Sequence, residues 1–488
     1  MSAEAEDDAL DSWTPALRLL RLEPGLREFS ALERLDLRDA GLVQLPLALA
    51  ACVQLVQLDL GGNRALDSLD GIDRLPRLRI LFASGCGLAD LPPHGPLSRA
   101  QLSMLALKAN GMTLLDGDAL PATLVWFIAA NNAIRAVRAP HRLQKVRKLM
   151  LSHNALTTEA LEPLIDAASS LEMLRVACNK LETLPAAIGR HPKLAWLAIG
   201  GNPYAQRQLE ARCARAQDSA ASEAASEAEG APLLLASSES PELAIGEEVL
   251  GRGSGATVVI GSLRGLPVAV KLWTAAHFSD GDARGEWEMG RLTGACTHVV
   301  RTLAVFQAPQ LGMVLELLDG ASAAGGPPSF DSVTRDALDT TAQALALADA
   351  LRVAREVGSA LAWLHSRGLM HGDIYLHNTL LCFEHPPPAG ERRVSAVRLS
   401  DFGAAACYSK TDDGHALERV EVRSFGYLLD DLAILCRSTE SASAPDVHIR
   451  NALAALAERC CTAESEQAPG FAQIVDELEA IGAVSLAL

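Results

Sequence analysis

The sequence predicts a multidomain chain, with an α/β repeat solenoid in its N-terminal half and a bilobal α+β domain in its C-terminal half. Three observations support this prediction. A leucine pattern recurs eight times before residue 205, a stretch rich in alanine, serine and glutamate follows it, and an ordered series of glycine-rich and acidic motifs fills the remainder. Repeats of this length cannot bury their own apolar face, so they gain stability by stacking on their neighbours.

The N-terminal repeat has the pattern L-x-x-L-x-L-x-x-N-x-L and recurs at spacings of 22 to 25 residues from Leu32 to Asn202. Its asparagine position holds six asparagines and one cysteine, Cys86, in eight copies. An asparagine there can hydrogen-bond backbone groups where the chain leaves the strand. The array resembles the leucine-rich repeat family over residues 17–205, which implies short strands lining a concave face. An ordinary leucine-rich helical domain, the alternative, would show a 3.6-residue period and no asparagine ladder.

Side chains alternate along a strand, so the third and fifth positions of the motif should face solvent on the concave side. In repeats three to five these positions form what we call the concave patch, whose members are Ile80, Phe82, Met104, Trp126 and Ile128. Exposed apolar surface marks interaction sites, so we expect the patch to bind a protein partner or substrate, or the chain's own C-terminal domain. In the eighth repeat the same position holds Trp196, and the alternative there is burial under the cap of the array.

Outside the two halves lie an acidic tail over residues 1–16 and a linker over residues 206–241. Alanine, serine and glutamate dominate the linker, so we expect a flexible or partly helical tether. The net charge of −17 argues against a nucleic-acid partner. No signal peptide or membrane-spanning apolar run is visible, and the ten cysteines contain no CxxC pair. These features predict a cytoplasmic protein with free thiols and without zinc or disulfides.

A glycine-rich turn opens the C-terminal domain, directly after the alternating, strand-like stretch Leu243–Leu250. Glycines let the backbone N–H groups of such a turn approach phosphates. An apolar strand follows and ends in Lys271, whose ammonium group can reach phosphates as a point charge. The candidate nucleotide-binding residues of these two motifs are Gly251, Arg252, Gly253, Ser254, Gly255, Val258, Ala269 and Lys271.

The most specific motif is H-G-D-I-Y-L-H-N at residues 371–378. Two apolar strands follow it, Thr379–Phe383 and Val394–Leu399, separated by a proline-rich turn at residues 385–389. The second strand leads into Asp401-Phe402-Gly403. Taken in order, these motifs resemble the protein kinase family over residues 242–488. With a proline-containing segment at residues 327–336, the chain is similar to microbial leucine-rich-repeat protein kinases.

The resemblance implies an enzyme that uses ATP and Mg²⁺ to phosphorylate a protein hydroxyl, of serine/threonine type. Lys271 would contact the nucleotide phosphates and pair with Glu288 in the next helix, with Glu286 as the second choice. Asp373 would accept or orient the proton of the acceptor hydroxyl. Mg²⁺ would be held by Asn378 and Asp401.

The same resemblance assigns the adenine side of the site. Leu315 would be the gatekeeper, and Glu316 to Leu318 would form the hinge that holds adenine through backbone groups. Ala256 stands where the family has its third glycine, with Gly255 one place early.

Two departures affect the catalytic loop. Gly372 replaces an arginine that normally receives an activation-loop phosphate, so activity should not require phosphorylation there. The candidate acceptors of such a phosphate are Tyr408, Ser409 and Thr411. Tyr375 replaces a lysine that normally contacts the transferred phosphate, and His377 is expected to compensate in part.

Further departures affect the activation segment. Ala416–Glu418 resembles its usual end and Glu421 the start of the next large helix, so the segment is compressed. Ala468 stands where an arginine normally pairs with the glutamate of that end. Residues 327–336 sit where the family has a helix after the hinge.

Three functional interpretations remain open. The first is an active serine/threonine-type protein kinase. The second is a weak or inactive kinase that binds ATP and serves as an interaction scaffold, which Tyr375 and the short activation segment favour. The third is a small-molecule phosphotransferase with a kinase-like fold, against which the glycine-rich turn and the intact Asp401 motif argue.

Overall fold

The computed structural model describes residues 30–222, 232–253, 255–278, 280–384, 393–436, 444–462 and 468–487. The acidic tail, the repeat residues before residue 30, the middle of the linker, Ser254 and the proline-rich turn lie outside the described residues. The chain divides into two compact units, Met1–Ala187 and Ile188–Leu488. The second unit therefore includes the strand of the eighth repeat.

The first unit is built on seven strands of three residues each, one from each of the first seven repeats. The strands are parallel and in register, so Leu35 pairs with Leu58 and Leu58 with Leu81. They are β1 (Arg34–Asp36), β2 (Gln57–Asp59), β3 (Ile80–Phe82), β4 (Met104–Ala106), β6 (Trp126–Ile128), β8 (Lys148–Met150) and β9 (Met173–Arg175). The connecting segments contain a parallel pair, β5 (Leu114–Asp116) and β7 (Ala136–Arg138), helices α1 (Pro96–Arg99) and α2 (Thr158–Ala167), and 3₁₀ turns at Leu47–Ala51, Ile72–Arg74, Gly117–Ala119 and Pro140–Leu143.

The predicted asparagine ladder is present in this unit. The Nδ2 group of Asn63 donates to the carbonyl oxygens of Leu37 at 2.9 Å and Leu60 at 2.6 Å, and its Oδ1 accepts from the Leu42 N–H at 3.0 Å. Asn110, Asn132, Asn154 and Asn179 likewise bond to the backbone of the preceding repeat. Each asparagine thus satisfies buried backbone groups of two successive repeats, which would otherwise cost about 1–3 kcal/mol apiece.

The strands alternate as predicted at their centres but not at all their outer positions. The central side chains of β2 to β6, such as Leu81 and Phe127, are fully buried. Ile80, Phe82, Trp126 and Ile128 of the concave patch are partly exposed, as expected. Met104 is only 3% exposed, so its prediction as a solvent-facing residue was wrong. Its register places it between two large side chains, Ile80 and Trp126, on the neighbouring strands.

The second unit begins with the end of the repeat region. Helix α3 (Ala186–Arg190) leads into strand β10 (Trp196–Ala198), and helix α4 (Pro203–Ser222) follows. The first part of the linker is therefore helical. Strand β11 (Leu233–Leu234) pairs in parallel with β17 (Thr302–Phe306), which makes the end of the linker a strand of the next sheet.

That sheet has six strands in the order β11-β17-β18-β14-β13-β12. Its other members are β12 (Leu243–Arg252), β13 (Ala256–Leu263), β14 (Leu266–Trp273) and β18 (Gly312–Glu316). A hairpin of β15 (His277–Phe278) and β16 (Gly281–Asp282) leads into helix α5 (Ala283–Leu292). The side chain of Asp282 accepts a hydrogen bond from the Gly285 N–H at 2.8 Å and so caps this helix.

The remainder of the second unit is mainly helical. Helices α6 (Leu347–Ser366), α7 (Asp412–Leu435), α8 (Ala444–Thr462) and α9 (Phe471–Ala487) enclose an apolar core that includes Leu361, Phe425, Leu456 and Ile474. One small sheet contains β19 (Ser322–Ala323), β21 (Thr379–Phe383) and β22 (Val394–Leu399), and another contains β20 (Leu369–Met370) and β23 (Ala406–Cys407). The two strands predicted after the H-G-D motif are therefore confirmed.

Residues 327–336, which sit where the family has a helix, contain turns. One expectation about the start of a helix was wrong. The segments Ala416–Glu418 and Glu421 do not belong to separate elements, because α7 runs through both. Leu417 stands where the corresponding motif of the family has a proline. Without a proline the helix continues through this position.

Within the described ranges, no helix is long and apolar enough to cross a membrane. None of the ten cysteines forms a disulfide bond, and no cluster of three potential metal-ligating side chains occurs among the residues that the structure describes.

Candidate active site

The strand lysine is the first component of the site. Lys271 lies on β14, where Val268 and Val270 anchor the strand in the core. Its ammonium group forms a short ion pair with Glu286 and lies 3.7 Å from Oδ1 of Asp401. Burial by itself lowers the pKa of Lys271, but the charges of the two carboxylates outweigh it and raise the pKa above its usual range. Lys271 is therefore charged at neutral pH.

The helix partner of Lys271 is Glu286, so the prediction of Glu288 was wrong and the second choice is confirmed. Residues two positions apart on an α-helix lie about 200° apart around its axis, so only one of Glu286 and Glu288 can face the sheet. Glu286 faces it and also accepts from Nε1 of Trp273 at 3.1 Å. Glu288 instead pairs along its own helix with Arg284 at 2.8 Å and Arg291 at 2.9 Å.

A carboxylate of helix α7 holds the loop of the H-G-D motif. Oε1 of Glu421 accepts the backbone N–H groups of both His371 and Gly372 at 2.8 Å. Its Oε2 lies 2.6 Å from Nε2 of His365. The Glu421 side chain is 2% exposed, so these bonds are shielded from water. Sequence reasoning placed Glu421 only at the start of a helix and missed this anchoring role.

The loop brings the predicted catalytic and metal-binding residues together. Nδ2 of Asn378 donates to the carbonyl oxygen of Asp373 at 2.8 Å and to its Oδ2 at 3.2 Å. The Ser400 N–H donates to the Asn378 carbonyl at 2.9 Å, which places Asp401 beside the loop. The three polar side chains predicted to act on phosphate and metal thus lie on two segments that are bonded to each other.

Asp401 combines an uncommon backbone conformation with an exposed side chain. Its backbone has a φ of 62°, an uncommon conformation for a residue other than glycine. Its side chain is 55% exposed, and its Oδ1 accepts from the Gly403 N–H at 3.2 Å. Desolvation raises the pKa of this carboxyl, but Lys271 and the Gly403 N–H outweigh it and hold the pKa below its usual range. The carboxylate is therefore ionised and accessible.

Asp336 is a site residue that sequence reasoning missed. Its Oδ2 accepts from the Leu376 N–H at 2.7 Å, and its Oδ1 lies 2.6 Å from Nδ1 of His377. The Asp336 side chain is 1% exposed. The predicted compensating residue, His377, is therefore oriented by this carboxylate. Asp336 is the last residue of the proline-containing segment at residues 327–336. That segment was the sequence feature that could have indicated its role.

Contacts of the glycine-rich turn explain why its third glycine is at position 255 rather than 256. A Cβ atom at Gly255 would lie 2.9 Å from the ring of Phe278, so a side chain there would collide with the hairpin. Ala256 pairs with Trp273 at the start of β13 and tolerates its methyl group. The Gly253 N–H donates to the Ala256 carbonyl at 2.9 Å, which closes the turn. Gly251 and Arg252 lie on β12, and Ser254 is outside the described residues.

The remaining nucleotide candidates lie on neighbouring strands. Val258 pairs with Lys271, and Ala269 pairs with Leu315. Glu316 ends β18, and Leu318 follows it in the hinge segment. A cavity behind the lysine is lined by Lys271, Glu286, Gly290, Val300, Thr302, Met313, Leu315, Ser400, Asp401 and Phe402. Leu315, the predicted gatekeeper, is one of the residues that line this cavity.

Glu418, which has no arginine partner at position 468, bonds to Tyr408 instead. The hydroxyl of Tyr408 donates to Oε1 of Glu418 at 2.7 Å, while Ala468 supplies no charge. Tyr408 is 5% exposed, and burial, followed by the hydrogen bond to Glu418, strongly raises the pKa of its hydroxyl. The short activation segment is therefore fixed at its end by a buried tyrosine.

Comparison with known proteins agrees with this geometry. Residues 245–429 match the family model described as the protein kinase domain. The serine/threonine-protein kinase PkaB of Streptomyces coelicolor is 33% identical over 164 residues, which cover 32% of this chain and 36% of the relative. The chain thus spans about a third of the length of the curated relative it matches. The second unit contains a protein kinase domain.

Proposed function

We propose that the chain is an ATP- and Mg²⁺-dependent protein kinase of the serine/threonine type. The observation that carries the proposal is the cleft in which Lys271, paired with Glu286, lies beside Asp401 and the Asp373–Asn378 loop. The matched domain and the name of the relative support the same class of activity.

The residues of the cleft fit a magnesium nucleotide. Lys271 remains an ammonium ion and supplies a fixed positive charge for phosphate oxygens. Mg²⁺ prefers carboxylate and amide oxygens, which Asp401 and Asn378 provide. When bound, Mg²⁺ supplies positive charge against the phosphates. The exposed, ionised Asp401 carboxylate is the group best placed to bind it.

Asp373 is proposed to orient the acceptor hydroxyl and to take its proton. The amide of Asn378 bonds to both its main chain and its side chain, so the carboxylate has a fixed direction. His377, oriented by Asp336, is the proposed partial substitute for the missing lysine.

We further propose that the first unit is an array of leucine-rich repeats that recruits a protein substrate or partner. The parallel three-residue strands and the asparagine ladder support this proposal. With Met104 buried, the concave patch available for binding consists of Ile80, Phe82, Trp126 and Ile128. Docking of the chain's own kinase domain on the patch is the other form of this proposal.

A second candidate function is an ATP-binding scaffold with weak or no catalysis. Tyr375 favours it, because this residue is 2% exposed and places a buried phenol where a cation would stabilise the transferred phosphate.

Nucleotide titration combined with transfer of labelled phosphate separates these proposals. Full-length protein should bind ATP more tightly with Mg²⁺ than without it. Asp401→Asn should lose that Mg²⁺ effect, and Asp373→Asn should keep it while losing transfer. Mg²⁺-dependent binding without transfer in the unchanged protein would favour the scaffold. No ATP binding would overturn both candidates, and transfer only to small hydroxyl compounds would identify a different phosphotransferase.

A further inference from the structure

The eighth repeat packs directly on the catalytic loop within the second unit. The indole ring of Trp196 is 2% exposed and lies between two tyrosines. Its centroid is 4.9 Å from that of Tyr375 with 4° between the planes, and 5.2 Å from that of Tyr427 with 18°. Its Nε1 donates to the carbonyl oxygen of Ile374 at 2.9 Å. A buried indole with its N–H satisfied in this way is a specific contact rather than loose packing.

The backbone of the same repeat adds a second contact to the loop. The Leu197 N–H donates to the carbonyl oxygen of Gly372 at 3.3 Å. Gly372 and Ile374 are the residues immediately before and after Asp373. The repeat therefore bonds to the carbonyl oxygens of the two residues that flank the proposed catalytic aspartate.

Helix α7 holds the repeat in this position through two arginines one turn apart. Arg419 donates to the carbonyl oxygen of Gly189 at 3.0 Å, and Arg423 donates to that of Leu194 at 2.7 Å. Burial, and then the charge of Arg419, lowers the pKa of Arg423 to about 10, which still leaves it charged at neutral pH. Charged donors make strong bonds to carbonyl oxygens, so the repeat is fixed at two points besides the loop.

Both departures of the catalytic loop from the family pattern lie in this contact. Gly372 has a φ of 80°, and a Cβ atom there would lie 2.8 Å from the Leu197 carbonyl oxygen and 2.6 Å from that of Ala404. An arginine would therefore prevent the repeat from approaching. Tyr375 supplies the flat ring on which Trp196 stacks.

The segment after the repeat covers the activation segment. Helix α4 packs on β23 (Ala406–Cys407). Its Leu209 and Cys213 contact the helical core. Residues from Gly189 to Cys213 thus contact both the catalytic loop and the segment that follows Asp401.

We propose that the eighth repeat is a brace for the catalytic loop and that Trp196 is a positioning residue for phosphate transfer. The brace holds Asp373 through the carbonyl groups of its two neighbouring residues. The catalytic part of the proposal rests on the proposed kinase function, whereas the loop contact itself does not.

The test compares full-length protein with Trp196→Ala and Trp196→Phe. Hydrogen exchange of the loop amides at residues 373–378 should become at least roughly tenfold faster in Trp196→Ala, because a buried stack and a hydrogen bond are lost. Turnover in phosphate transfer should fall at least roughly tenfold, while the KM for ATP changes less than about twofold. Trp196→Phe keeps an aromatic stack but has no donor, so its effects should be intermediate and folding should survive.

Trp363→Ala is the matched control. Trp363 also donates its Nε1 to a backbone carbonyl, that of Thr293 at 2.8 Å, and its ring faces Arg367. This variant should lose stability without accelerating exchange at residues 373–378.

Three results would overturn the proposal. Unchanged loop exchange in both Trp196 variants would remove the brace. Equal losses of turnover in Trp196→Ala and Trp363→Ala would reduce Trp196 to a general stabilising residue. If the unchanged protein transfers no phosphate, the kinase proposal and the positioning role fail together, and the exchange comparison still decides whether the brace exists.

Discussion

Lys271 forms its ion pair with Glu286, while Glu288, two residues further along the same helix, pairs with Arg284 and Arg291. The side chains of Lys271 and Glu286 are 15% and 5% exposed, so the pair is shielded from water. Removal of one partner of a buried pair leaves an uncompensated charge. The two glutamates therefore provide a matched pair of substitutions.

Glu286→Gln should lower the rate of phosphate transfer at least roughly tenfold, because Lys271 loses the partner that positions it. Glu288→Gln should change the rate less than about threefold, since its partners are partly exposed arginines. Initial rates at saturating ATP measure the effect, with thermal unfolding as a check on folding. Equal losses in the two variants would contradict the assignment.

Restoration of the family's arginine at position 372 should damage the protein. Gly372→Arg and Gly372→Ala both place a Cβ atom 2.6 Å from the Ala404 carbonyl oxygen in a left-handed conformation. The control is Gly265→Ala, since Gly265 has a similar φ of 82° and a Cβ atom there would have no neighbour within 4 Å. Gly265→Ala should cost about 1 kcal/mol of stability from the backbone alone, and Gly372→Ala distinctly more. Equal losses of stability in Gly372→Ala and Gly265→Ala, measured by thermal unfolding, would show that the close contact at Gly372 has no destabilising effect.

Activity should not depend on phosphorylation of the activation segment. Ser409→Ala with Thr411→Ala should leave the rate within about threefold, and phosphatase treatment should have no effect. Tyr408→Phe should lower stability by about 1 kcal/mol through the lost bond to Glu418. Mass spectrometry would confirm the phosphorylation state of each sample. A rate that collapses after phosphatase treatment would contradict the prediction.

Asp336 should matter as much as a residue of the H-G-D motif. Asp336→Ala leaves the buried Leu376 N–H without its acceptor and His377 without its partner. The transfer rate should fall at least roughly tenfold with little change in ATP affinity. The control is Asp331→Asn, which alters an exposed aspartate of the same segment. Comparable effects of the two substitutions would show that Asp336 has no special role.

The sequence was sufficient where the determining contacts are local or periodic. The asparagine ladder and the strand centres follow from a fixed repeat, and the strands around the H-G-D motif follow from their apolar runs. The choice between Glu286 and Glu288 depends on which face of the helix meets the sheet. The sequence of this short segment does not indicate that face. Met104 was misplaced because alternation predicts direction but not the size of its neighbours.

The residues that were missed act over long separations in sequence. Asp336 bonds to His377 across 41 positions, and Trp196 bonds to Ile374 across 178. No local pattern encodes such a contact. The substitutions at Gly372 and Tyr375 were visible as departures, but their common partner became apparent only in the folded unit.

The most direct test of the account is phosphoamino-acid analysis of full-length protein and a protein substrate after incubation with labelled ATP and Mg²⁺. The account predicts labelled phosphoserine or phosphothreonine with the unchanged chain and none with Asp373→Asn, although both bind ATP. Label found only as inorganic phosphate or on small hydroxyl compounds would contradict it, as would equal labelling of protein by the Asp373→Asn variant.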